Sequence, residues 1–74
     1  MKIITISGLG DFSDDEEELK NLKRTCKAHK VALYPTYYDW EMKGIREDIE
    51  AVTQAMWSMP RDQWSDNNLI ETNV

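Results

Sequence analysis

The sequence predicts a small α/β domain in which a two- to three-stranded parallel sheet, of order 2-1-3, carries one helix on each face. Three observations lead there. Strand-like and helix-like segments alternate along the 74 residues, the pattern of parallel strands joined by helical crossovers. Ile3, Ile4 and Ile6 with Thr5 form a nearly continuous β-branched run, suited to a central strand covered on both faces. Pro35 lies inside the second strand, and a residue without an N–H suits a sheet edge. The length fits a single domain over residues 1–74.

The elements follow in order. Lys2 to Ser7 reads as the first strand, and Gly8-Leu9-Gly10 ends it. Ser13 with Glu16 three residues later is a capping box, so a helix should start there and end near His29 or Lys30. Its apolar stripe is Leu19, Leu22 and Cys26. Val31 to Tyr38 reads as the second strand, shortened or placed at an edge by Pro35, and Asp39 to Gly44 as a loop leading into a helix. Ile45, Ile49, Val52, Met56 and Met59 recur at helical spacing and predict a helix from about Gly44 to Ser58, with Pro60 just beyond its end. Arg61 to Asn67 is polar and loop-like despite Trp64, and Asn68 to Val74 can form a short third strand around Leu69-Ile70.

The net charge of −5 is unevenly spread. Residues 11–18 hold six acids: Asp11, Asp14, Asp15, Glu16, Glu17 and Glu18. Residues 19–30 hold five bases and no acid: Lys20, Lys23, Arg24, Lys27 and Lys30. Acids early and bases late complement the helix dipole. The five bases also fall within roughly one third of the helix circumference, forming a positive ridge beside the apolar stripe. An acidic chain repels a phosphate backbone, so general nucleic-acid binding is not expected. One cysteine, Cys26, excludes an internal disulfide, and no apolar run is long enough for a signal peptide or membrane span. A soluble cytoplasmic protein without membrane contact is expected.

No catalytic constellation is complete. Gly8-Leu9-Gly10-Asp11-Phe12-Ser13 approaches a dinucleotide fingerprint, but six carboxylates crowd the helix start where a pyrophosphate would rest. The acid run lacks the alternating ligands and central glycine of a calcium loop. His29 and Cys26 share one helix, with Cys26 in the apolar stripe, as expected of a structural cysteine. No cofactor or metal is expected. Two candidate contact surfaces remain. Tyr34, Tyr37, Tyr38 and Trp40 crowd into seven residues, and Tyr and Trp are enriched at binding hot spots. Lys20, Lys23, Arg24 and Lys27 offer a cationic face to an acidic partner.

The run Ser7-Gly8-Leu9-Gly10, an acid-capped helix, the strand leading into Tyr37-Tyr38-Asp39-Trp40 and the helix with Ile45-Arg46-Glu47-Asp48-Ile49 together resemble the early part of an α/β-hydrolase. The resemblance covers residues 2–58. It implies that Ser7-Gly8 takes the position of the usual His-Gly, with Leu9 near the oxyanion-hole backbone. The family's G-x-S-x-G elbow is absent from the strand at Leu69 to Val74, which implies a remnant or reused scaffold, or a subunit completed by another chain. The leading expectation is a non-catalytic module that docks on a larger protein, as an inhibitor, an adaptor or a virus-encoded (phage-type) modulator of a host protein. Self-association through exposed sheet edges is a further expectation.

Overall fold

The computed structural model describes residues 2–74; Met1 lies outside the described residues. The elements are β1 (Ile3–Ser7), α1 (Glu16–Ala28), β2 (Ala32–Pro35), β3 (Trp40–Ile45), α2 (Arg46–Trp57) and β4 (Ile70–Asn73), with two 3-10 turns, Arg61–Gln63 and Ser65–Asn67, before β4. The sheet has four strands in the order β2-β3-β1-β4, and every neighbouring pair is antiparallel. The parallel sheet of two or three strands in order 2-1-3 is therefore overturned.

The physical reason lies in Trp40 to Ile45. Asp39 to Gly44 is read from the sequence as a loop or helix entry and Ile45 as the first residue of the helical stripe, but Trp40 to Ile45 is a strand with a period of two, and Ile45 pairs with Ile3 on the open face instead of starting α2. Trp40 and Met42 face the helices while Lys43 lies on the opposite side of the sheet with its cross-strand partners Thr5 and Ala32. It folds back on β2 through the four-residue connection Thr36–Asp39 and then inserts between β2 and β1. Ile45 passes directly into α2, whose first N–H, on Arg46, donates to the Lys2 carbonyl at 2.9 Å. The resulting β-α-β-β-α-β chain with a split βαβ unit is the ferredoxin-like arrangement, which by itself carries no function.

Both helices lie on one face of the sheet and pack against each other, not one on each face. Ile4, Ile6 and Met42 from the sheet meet Leu22 and Cys26 from α1 and Ile49 and Val52 from α2. The isoleucine run is thus covered on one side only. Ile4 and Ile6 point into the core, while Ile3 sits on the open face and is exposed. The expectation that β1 is central holds, since it lies between β3 and β4. So does the expectation that Pro35 ends an edge strand.

Local chemistry sets the helix ends. Asp15, not Ser13, caps α1, its carboxylate accepting from the Glu18 N–H at 2.9 Å. The shift arises because Asp11 takes the Ser13 N–H at 3.0 Å and the chain turns through Phe12 before the helix begins. Lys30 at φ +60 closes α1, with the Val31 N–H returning to the Cys26 carbonyl at 2.8 Å. Ser58 in the left-handed region ends α2, two residues before Pro60.

Trp64 is buried, contrary to the loop reading of its surroundings. The two 3-10 turns fold its polar neighbours outward and drive the indole into the core. Its Nε1–H donates to Thr53 Oγ1 at 3.0 Å. The Thr53 hydroxyl carries one proton, shared between the Met59 carbonyl at 2.7 Å and the Glu50 carbonyl at 3.0 Å. A buried threonine thus joins α2, its following loop and the Trp64 segment without an unsatisfied polar atom.

Candidate functional site

Of the eight predicted contact residues, four lie on α1, two in the β2–β3 turn, and the two in strands, Tyr34 and Trp40, take opposite faces of the sheet. The turn between β2 and β3 carries Tyr37 and Tyr38, 90% and 83% exposed, their rings edge to face at 4.6 Å between centroids. The turn beneath them is held firmly. The Thr36 N–H donates to the Asp39 carbonyl at 2.6 Å, and Thr36 Oγ1 donates to Asp39 Oδ1 at 2.6 Å. The other carboxylate oxygen of Asp39 accepts from the Gly8 N–H at 3.1 Å, and the Trp40 N–H donates to the Gly10 carbonyl at 3.1 Å. The tyrosine turn is therefore fastened to the Gly-Leu-Gly segment that follows β1.

Trp40 lies on the helix side, half-buried, and Lys23 of α1 extends over its ring with Nζ 5.3 Å from the centroid. That contact joins the basic ridge to the aromatic turn. Lys20, Lys23, Arg24 and Lys27 are all exposed along α1. Tyr34 does not belong with Trp40. Alternation along β2 puts it on the open face, where its hydroxyl donates to Glu41 Oε1 at 3.0 Å. Partial loss of hydration, and then this bond to a carboxylate, raise the Tyr34 pKa above the usual tyrosine value.

The other sequence candidates take structural positions. The Gly8 N–H, in the segment that the hydrolase resemblance sets beside an oxyanion hole, is occupied by the Asp39 carboxylate. An anion from the chain itself already holds that donor. Beside it, Gly8, Leu9, Trp57, Met59 and Leu69 line a shallow groove of about 200 Å³. That is less than the ~300–1,000 Å³ of ordinary small-molecule sites. Among the described residues no three His, Cys, Asp or Glu side chains converge as a metal-binding group. The Cys26 thiol points into the core, 3.6 Å from Met42 Sδ, and burial pushes its pKa up to about 11. It stays protonated at neutral pH and is no nucleophile. Asp11 has its pKa lowered by the backbone and then the side-chain hydrogen bond from Ser13.

Sequence reasoning missed the open sheet face. The absence of a second helix layer leaves Ile3, Ile70 and Val74 exposed there at 49%, 60% and 69%. Some four-stranded sheets bind RNA by stacking bases on aromatic side chains of the free face. Tyr34 is the one aromatic that strand alternation puts on this face, and its hydroxyl is engaged by Glu41. Among the described residues no helix is long and apolar enough to cross a membrane. No family model, curated protein or solved structure matches the chain.

Proposed function

We propose that the chain is a non-catalytic protein-binding module that docks on a larger protein through Tyr37, Tyr38 and the Lys23–Trp40 junction. The observation that carries this reading is the tyrosine pair. Two adjacent aromatic rings, 90% and 83% exposed, project from a turn fixed by hydrogen bonds on both sides. Burying large apolar rings that start in water is favourable, and a turn already held in shape loses little entropy on binding. Tyr34 contributes by bracing β3 through Glu41. The cationic ridge of Lys20, Lys23, Arg24 and Lys27 then favours a partner surface that flanks its aromatic pocket with carboxylates. Such docking suits an inhibitor or modulator of the larger protein.

Tyr37→Ala/Tyr38→Ala is the direct test, measured by titration calorimetry against the partner captured with the wild-type chain. Hot-spot tyrosines contribute ~2 kcal/mol or more, so the double variant should bind at least ~30-fold more weakly. Its urea midpoint should match wild type, because neither ring packs in the core. Unchanged affinity would remove the aromatic turn from the interface. The ridge makes a separate contribution: raising salt should slow association, and reversing Lys20 and Lys27 to Glu should abolish that salt dependence.

A further inference from the structure

The exposed large apolar side chains form two groups. Tyr37 and Tyr38 are at the β2–β3 turn; the other three are on the open face along β1 and β4, with Ile3 and Val74 neighbours at one end and Ile70 opposite Ser7 at the other. We infer that the β4 edge pairs with the β4 edge of a second copy of this chain, antiparallel and centred on Thr72, giving a continuous eight-stranded sheet.

The register points to one alignment. The Val74 N–H donates to the Ile3 carbonyl at 3.3 Å, so Ile70, Thr72 and Val74 direct their backbone groups inward toward β1. Alternation leaves the N–H and C=O of Glu71 and Asn73 facing outward, and among the described residues no strand lies beyond β4. A two-fold axis at Thr72 sets Glu71 opposite Asn73 of the second copy, twice over, so four backbone hydrogen bonds close the seam. On the open face the same axis sets Ile70 opposite Val74 and Thr72 opposite itself. These are non-hydrogen-bonded positions, where opposed side chains come closest. A shift of the axis to Glu71 would oppose two carboxylates instead.

The rest of the edge agrees. Arg61 of the same chain holds Glu71 with two bonds, Nε to Oε1 at 2.9 Å and Nη2 to Oε2 at 3.1 Å, so the carboxylate beside the seam, on the helix side of the sheet, is neutralised. β4 carries no lysine or proline of the kind that protects an edge, whereas β2 ends on Pro35. Pairing also extends one apolar row across the seam, from Ile45 through Ile3 and Val74 to Ile70 of the second copy. The aromatic turn lies on the other side of the sheet, at the β2–β3 end, so either surface can be removed without the other.

Sedimentation equilibrium and cysteine cross-linking test this. The average mass should rise toward the dimer between ~20 μM and ~1 mM, as suits an interface below ~1,200 Å². Ile70→Lys alone and Val74→Asp alone should each hold the chain monomeric, with circular dichroism unchanged because both sites are exposed. Combined in one chain they should restore the dimer, since each charge then faces its opposite across the seam. Thr72→Cys should give a covalent dimer on oxidation, its Cα separation of ~4.5 Å falling within disulfide reach. Lys43→Cys, two strands inward on the same face, should not. A strict monomer at ~1 mM without cross-linking at Thr72→Cys overturns the inference. Equal cross-linking at Lys43→Cys also overturns it, because only face-to-face stacking brings that position to its copy.

Discussion

Trp64→Ala should remove most of the stability of the fold. The indole is 3% exposed, belongs to the core, and donates its N–H to the buried Thr53 hydroxyl. Truncating a buried tryptophan costs ~3–5 kcal/mol. Domains are stable by only ~5–15 kcal/mol, and small ones fall toward the lower end. The variant should therefore be largely unfolded, or unfold at a much lower urea concentration, read by near-UV circular dichroism and by loss of cooperativity. Trp64→Phe fills most of the volume but loses the N–H, and should cost less, ~1–3 kcal/mol. A wild-type midpoint for Trp64→Ala would mean that the 3-10 segment does not close the core.

Gly8→Ala should be nearly as damaging, and Gly10→Ala distinctly milder. Both glycines have strongly positive φ, +90 and +88, so any side chain pays backbone strain of ~1–3 kcal/mol at either position. The difference is in what surrounds them. A Cβ on Gly8 meets the carbonyl oxygen of Asn68, which belongs to backbone and cannot rotate aside. A Cβ on Gly10 meets nothing within 4 Å. Overpacking against fixed atoms adds ~1–3 kcal/mol at Gly8 alone. Thermal melting of the two variants separates the contact from the strain. Equal melting temperatures would show that the loop before β4 yields to accommodate the methyl group.

The same two glycines show how the sequence can be read and where it misleads. Gly8-Leu9-Gly10 after an isoleucine strand correctly marks the end of β1, with both glycines at positive φ, but the six acids beyond it hid that Asp39 is the anion on the Gly8 N–H. The helices were legible because their apolar spacing is regular: Leu22 and Cys26, then Ile49 and Val52, are the residues that become buried. β3 was not, because Pro35, Asp39 and Gly44 are all turn-forming types and draw attention from the Trp40/Met42 alternation between them. Once that strand is missed, alternating strands and helices imply parallel pairing, and the sheet order follows wrongly. Trp64 was hidden by Arg61, Asp62, Gln63, Ser65 and Asp66, whose polarity is that of the exposed side of two tight turns. The aromatic cluster was legible as a group but not as two faces, since that division depends on the register of β2 against β3.

The position of β1 governs the order in which the molecule can assemble. Tyr34 and Glu41 are near neighbours in the chain, so the β2–β3 hairpin closes a short loop, an event of ~1–10 μs. Ile4, by contrast, pairs with Gly44 on one side and with Asn73 on the other, the second almost the full length of the chain away. Such distant pairings lower the folding rate, because the intervening loop must be closed before any contact stabilises it. A hairpin probe should therefore report structure earlier in refolding than Trp64 fluorescence does, with simultaneous signals contradicting this order. Until the last strand docks, β1 keeps an unpaired side, and an isoleucine-rich strand with a free edge is the segment of this chain most exposed to aggregation.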